Sequence, residues 1–574
     1  MVKISVQYVD NSAMPHATTK HLSKGPIRPV NILDLPVDIL HLIFEEFQYF
    51  NMITNDKINW CWNWCIEDSN IYRTAIQNLR LVCCLFCEIA SPLLLPTMRV
   101  RLDQLSLDIV KGVAKNPLLA RGVRGIEVLL DYCPERLATD LGRFSEQRSK
   151  ELDEFSSTCS YYAETWFLRG CDVDDESVCP QPYSVYAEAM DNYADITNAW
   201  EEYLVDPTAE ATEDAIEFEY QQLLVQSFKC YQRKHEEQLQ LIEDGAFVTT
   251  LATGIAQIAN SCSLRLSNQT YCNPTRWEPT VVLRDKKELA RFMVTPHDWQ
   301  TIEELGSELP PAKILTELPV AIYKAGASLR ELRISCFPAT ANSYSSIWSD
   351  GYNQLNLDEF RAACQHLKVF KIGDGSMNHL PVRYDYLSKD DQIPFNRYLC
   401  AALSGHCLKN VVLNLHAFKI NNGRRGSQSR NGYHHVGSVL CQIKWPWVKH
   451  VTICSIEIQQ HELETFCKGL SYNLDRIFLF SIHLLDGSWA NILDILREKV
   501  RSRHLDGQCV INFRSLTGGE FGKLNKGEQQ DVVANESSGW WNLSGVEEEQ
   551  LVVIQSQKYV AGIGGLVNPL NEIM

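Results

Sequence analysis

At 574 residues the chain is too long for one compact core, so several domains or an elongated repeat array are expected. Its hydrophobic content of 45% and charged content of 22% are those of an ordinary globular protein. A formal net charge of −17 speaks against a nucleic-acid binder, because neutralising phosphates takes clustered Lys and Arg; the short basic patch at 422–426 reads as a solvated loop. Residues 1–30 read as a flexible tail, mixing Ser, Thr, Pro, His and Lys without the apolar centre of a secretory signal. No uninterrupted apolar run is long enough to span a bilayer. The 20 cysteines are then expected to be free thiols, many buried as small hydrophobes, in a cytoplasmic or nuclear protein.

The stretch 31–98 holds two apolar helix patterns. Pro36 follows Leu35 at a helix entrance, where a missing N–H costs nothing and the fixed φ is already helical. After it Ile39, Leu40, Ile43, Phe44 and Phe47 recur at three-and-four spacing, which predicts one helical stripe. The second pattern runs through Leu79, Val82, Cys83, Phe86 and Ala90 and ends at Pro92. Apolar stripes alone say only that a helix packs on something. The ordered set of residue types says more: LPVDIL-x-x-IF, then LRLVC-x-x-F-x-x-x-A-x-PLL, resembles an F-box of the form found in filamentous fungi. That resemblance implies docking on the adaptor Skp1 of cullin-based ubiquitin ligases. The docking residues it implies are Leu35, Pro36, Ile39, Leu40, Ile43, Phe44, Leu81, Val82 and Phe86, some of which must face inward to pack the helices together. The connection at about 48–77 is longer than the family usually has, and carries the run Trp60-Cys61-Trp62-Asn63-Trp64-Cys65. Such an insertion could shield or extend the docking face.

Beyond Pro96 the pattern changes. Residues 98–102 read as a strand, 105–115 as a helix and 123–130 as a second strand, a spacing that suits parallel strands joined by a crossover. Residues 131–201 are acidic, aromatic and without clear period, and read as an elaborated loop with some helix. A long helical pattern follows, with Ile216, Tyr220, Leu223, Leu224, Phe228 and Tyr231 at helical spacing, then 232–244, Gly245 as a left-handed cap, and a restart over 247–258. Short strands are expected at 263–266, 328–334, 367–372, 408–415, 448–453 and 474–479, with helices at 357–364, 461–470 and 489–500. Spacings of roughly 40 residues, shortening toward the end, are those of a divergent leucine-rich array. One strand–helix unit cannot bury its own apolar face, but stacked units can, with their parallel strands lining the inner surface of a curved solenoid. The competing doubly wound sheet would carry a glycine-rich turn leading into a helix, and 561–565 does not qualify. The expected fold is therefore mixed α/β: a helical F-box over 31–98, then an irregular leucine-rich-repeat-like solenoid over 99–574, with an acidic and helical insertion at about 131–259.

Little chemistry is expected within the chain. Cys61 and Cys65 with Cys84 and Cys87 have spacings that could suit tetrahedral zinc. Cys83, however, falls where the F-box has its buried cysteine, and Cys84 and Cys87 lie on the same helix, so no metal and no cofactor is assigned. Cys159, Cys171 and Cys179 sit among carboxylates, which raise a thiol pKa rather than lower it. The pair His434-His435 follows a polar loop and reads as exposed surface. No nucleophile elbow, zinc-protease helix or phosphate-binding loop is present, so a non-catalytic protein is expected. Among 13 tryptophans, Trp445 and Trp447, and Trp540 and Trp541, lie beside expected strands and read as core or end-cap packing rather than partner anchors. The reading that results is an F-box substrate receptor, which holds a target protein on its array and a Skp1-like adaptor, with cullin behind it, on its N-terminal helices. The alternative is a protein-interaction scaffold that uses the F-box only as an assembly handle. Neither involves nucleic acid or membrane, and neither names the substrate.

Overall fold

The computed structural model describes residues 32–49, 73–169, 181–205, 215–258, 261–268, 277–338, 347, 354–373, 393–415, 434–501, 509–524, 548–562 and 567–571. The expected tail at 1–30 and most of the connection at 48–77 lie outside the described residues.

The described strands form one ten-stranded sheet: β1 (Thr97–Arg101), β2 (Gly125–Leu129), β3 (Ser261–Ser267), β4 (Ser328–Ile334), β5 (Val369–Ile372), β6 (Asn410–Asn414), β7 (His434–His435), β8 (His450–Ile458), β9 (Arg476–Leu484) and β10 (Val510–Arg514). Every pairing is parallel. The spatial order is β1-β2-β3-β4-β5-β6-β8-β9-β10, with the two-residue β7 laid against β8. Chain order and spatial order agree throughout, so the sheet lacks the reversal of direction that defines a doubly wound fold.

Helices of about two turns or more are α1 (Val37–Tyr49), α2 (73–79), α3 (Cys84–Ala90), α4 (Gln104–Lys115), α5 (Leu141–Arg169), α6 (Tyr183–Val205), α7 (Ala215–Glu243), α8 (Ala246–Ile258), α9 (Lys286–Met293), α10 (Ile314–Lys324), α11 (Gln354–Cys364), α12 (Ile393–Ala402), α13 (Gln460–Gly469), α14 (Trp489–Arg501) and α15 (Glu548–Val560). Their starts are written locally. Asp103 caps α4 by accepting from Ser106 N at 2.7 Å, and Gln459 with Glu462 forms a capping box on α13. Gly245 has φ +68°, the left-handed conformation expected of it between α7 and α8.

Alternate residues of the strands enter a single extended core. Val100, Val128, Leu264, Leu332, Phe370, Val411, Val451 and Leu479 meet Val110 of α4, Leu251 of α8, Leu318 of α10, Phe360 of α11, Tyr398 of α12, Phe466 of α13 and Leu493 of α14. Ser455, Ser481 and Ser515 all take positive φ, a conformation uncommon outside glycine. The pairings Cys454↔Phe480 and Arg514↔Phe480 put them at matching positions of β8, β9 and β10. The same kink thus recurs in three successive units.

Strands β1–β6, β8 and β9 fall where the alternation predicts them, and β8 and β9 run on to Ile458 and Leu484. Neither β7 nor β10 is anticipated. His434 corrects the expectation of exposed surface: it is buried, 5.4 Å from the ring of Phe395. The larger correction concerns 131–201. Instead of an elaborated loop it supplies α5 and α6, of 29 and 23 residues, which pack with α7 and α9 around a separate core holding Phe144, Leu152, Cys159, Ile196, Trp200 and Leu224. The period was hidden because the buried stripe of α5 runs Phe144, Arg148, Leu152, Cys159, Ala163, with an arginine, a thiol and a methyl among its members. Asp172 to Glu176 lie outside the described residues.

Candidate functional site

The N-terminal helices form a small unit with its own core. Pro36 stands just before α1, and its carbonyl accepts from Ile39 N at 3.0 Å and Leu40 N at 3.1 Å. The second apolar pattern is not one helix but two. α2 ends at residue 79, and Cys83 takes an extended conformation (φ −162°, ψ 170°) to cap α3, its Sγ accepting from Phe86 N at 3.5 Å. Leu40, Phe44, Ile76, Phe86, Ile89, Ala90 and Leu93 close on one another, with the Phe44 and Phe86 rings edge to face at 5.0 Å.

This packing divides the nine residues singled out from the sequence. Leu40, Phe44 and Phe86 face inward and Leu35 is half-buried, so these four support the unit. Pro36, Ile39, Ile43, Leu81 and Val82 lie outside, with Leu81 at 85% and Val82 at 58% exposure. The single stripe expected on α1 is therefore split: Leu40 and Phe44 bury, while Ile39 and Ile43 do not. The side chain of Phe47 lies outside the described residues. Four further exposed apolar residues were missed: Ile32, Leu33, Val37 and Leu42. The signal was present, because α1 is apolar on both sides. A helix this short packs one face on α3, which leaves Ile39, Leu42 and Ile43 as a second face.

The unit is tied closely to the segment that leads into β2. Arg121 donates to the Glu88 carbonyl at 2.9 Å, and Arg124 N to the Pro96 carbonyl at 2.9 Å. A Cβ on Gly122 would come within 1.9 Å of the Pro92 carbonyl oxygen, so only glycine allows that approach.

A polar junction, not foreseen in the sequence, joins α5 and α7 to the segments that follow β2 and α9. Tyr132 N donates to the His297 carbonyl at 3.0 Å, and His297 N to the Tyr132 carbonyl at 2.9 Å. Arg148 donates to Glu151 Oε2 at 2.6 Å and to the Thr295 carbonyl at 2.5 Å, its guanidinium set among the rings of Phe144, Tyr231 and Phe292. Glu151 Oε1 lies 3.0 Å from His297 Nε2, and the Tyr231 hydroxyl 2.7 Å from His297 Nδ1. Burial works to raise the Glu151 pKa, but Arg148, with His297 adding, holds the carboxyl well below its usual range. Burial and then Arg148 push the His297 pKa down against the pull of Glu151, so the imidazole is neutral and Arg148 is the charge partner of Glu151. Burial also lifts the Cys133 thiol to about 12. Arg148, Tyr231, His297 and Cys133 are all buried. These contacts hold α5 and α7 against the segments that follow β2 and α9.

Among the described residues no group of three or more His, Cys, Asp and Glu is placed to hold a metal. Cys84 is exposed and Cys87 half-buried, while Cys61 and Cys65 lie outside the described residues. The Cys159 thiol is pushed up to about 11, but by burial and not by the carboxylates expected to do it. Cys171, Cys179, Trp540, Trp541 and the patch at 422–426 lie outside the described residues. Trp445 is core, its Nε1 donating to the Leu403 carbonyl at 3.1 Å, but Trp447 is 62% exposed. No described helix is long and apolar enough to cross a membrane. In comparisons with known proteins, no family model matches the chain and no curated protein matches it.

Proposed function

We propose that this chain is an F-box substrate receptor of a Skp1–cullin–F-box ubiquitin ligase. One observation carries the reading: a helical unit that has closed its own small core still presents Ile39, Leu42, Ile43, Leu81 and Val82 to solvent. Exposed apolar residues gathered on so small a unit mark a surface built for a partner. In this reading the partner is a Skp1-like adaptor, with cullin recruited behind it, and the chain works in the cytoplasm or nucleus.

The array behind the unit then serves as a rigid holder for a target protein. Strand order without reversal, a core on one face of the sheet and the kink shared by Ser455, Ser481 and Ser515 support a leucine-rich-repeat-like solenoid. Its contribution is proximity: a tethered target meets the ubiquitin-loaded enzyme at a raised effective concentration, while the chemistry belongs to another subunit. The test is co-purification of the full chain with the adaptor and cullin. Recovery of both supports the receptor, recovery of the adaptor alone points to the scaffold role, and recovery of neither removes the F-box assignment.

A further inference from the structure

Four cations stand in register along the rim where the strands begin. The pairings Glu331↔Val369, Val369↔Asn410 and Asn410↔His450 set Arg330, Lys368, Lys409 and Lys449 at one level of four adjacent strands. The backbone agrees: Lys368 N donates to the Arg330 carbonyl at 2.8 Å, Lys409 N to Lys368 at 2.7 Å and Lys449 N to Lys409 at 2.8 Å. The preceding residues Leu329, Leu367, Leu408 and Val448 are buried, which anchors each turn, while the cation that follows is exposed. Like charges side by side on neighbouring strands repel one another. Among the described residues no carboxylate forms an ion pair with Arg330, Lys368 or Lys409, and Lys449 meets Asp475 only at 3.9 Å and half in water. Asp475 holds the same level on β9, its N donating to the Lys449 carbonyl at 2.7 Å, and ends the row.

We propose that this row binds an acidic segment of a partner protein. At about 4.8 Å between strands the four charges span about 14 Å, the length of roughly four residues of extended peptide. An exposed aromatic pair closes one end. Trp447 lies two residues before Lys449, and the parallel bridge Trp445↔Leu470 puts Tyr472, 54% exposed and with the Lys499 ammonium 3.9 Å from its ring centre, at the corresponding place in the next unit. Such rings anchor an apolar side chain next to the acids. The same observations disfavour nucleic acid: the cationic row is short, and the chain around it carries a net charge of −17. The net negative charge of the chain works against non-specific capture of an acidic ligand. The row is remote in sequence from the N-terminal helices and does not depend on their role; beside it, the row would define the class of target held by the array.

The experiment is fluorescence anisotropy of a labelled peptide of alternating Asp and Glu, titrated with the full chain and with the Arg330→Ala/Lys368→Ala/Lys409→Ala/Lys449→Ala variant. Because all four residues are exposed, the variant should melt like the parent, and it should bind at least about tenfold more weakly with a smaller salt dependence. A Lys409→Glu single variant, expected to weaken binding in the same direction, covers the case in which the quadruple variant does not fold. Equal binding by parent and variants overturns the proposal, as does no binding by the parent, or tighter binding of an oligothymidylate of equal charge.

Discussion

Phe44 and Leu81 sit in the same small unit and should fail in opposite ways. Phe44 is buried edge to face on Phe86, so Phe44→Ala should cost about 3–5 kcal/mol, enough to open the unit and expose 73–94 to proteolysis. Leu81→Ala removes a side chain that is 85% exposed and should change stability by less than about 0.5 kcal/mol, while weakening adaptor binding. Thermal melting beside an adaptor pull-down separates the two effects. His297 makes a residue-scale prediction about pH. Its folded-state pKa is depressed, so as pH falls below the ordinary imidazole value the unfolded chain takes up a proton that the folded chain refuses. Its contribution is therefore complete above that value and is lost on acidification. Glu151, also depressed, loses its contribution in the same direction at lower pH, below the ordinary carboxylate value. Urea midpoints at about pH 7.5 and about pH 5.5 should differ more for the parent than for His297→Gln. Equal differences would remove His297 from the acid response.

Among the elements, α1 was legible because Pro36 and the spacing of its apolar residues act within one helix. The break between α2 and α3 was not, because it depends on Cys83 using its thiol as a cap, a role usually taken by Ser, Thr, Asp or Asn. α5 stayed hidden for a related reason. Arg148 occupies a core position that only Glu151, the Thr295 carbonyl and three aromatic rings make tolerable, and those partners lie on other elements or one turn away. Arg148→Met should expose what that arrangement is worth. It leaves Glu151 with His297 and Gln147 but without its charge partner and should cost at most about 3–5 kcal/mol, whereas Arg148→Met with Glu151→Gln should recover part of the loss. Denaturant midpoints of the two variants check it, and an additive double variant would mean that the two residues do not act as a pair.

For the molecule as a whole, the run of parallel strands could be read from alternation because aliphatic residues recur at every second position on the core face, with mostly polar residues between them even where, as in β2, both faces are buried. β7 and β10 were missed because two residues carry no alternation, and because Val510 is exposed and Ile511 only half-buried on β10, the end strand of the sheet. The division of the candidate docking residues was beyond the sequence for a different reason. A stripe fixes which residues share a face but not which face the rest of the molecule covers, and α1 has apolar residues on both. At this scale the exposed helical unit is held near the first strands by Arg121 and the close contact at Gly122, while the rim of cations lies further along the sheet, where β4, β5, β6 and β8 begin.

The most direct measurement is binding of the purified full chain to a Skp1-type adaptor, by pull-down and titration, for the parent and for Ile39→Asp/Leu81→Asp. The expected result is a stoichiometric complex that also recovers cullin, lost in the variant with no change in melting temperature. No complex with the parent, or a complex that the variant forms equally well, would contradict the claim that this exposed face is the docking surface.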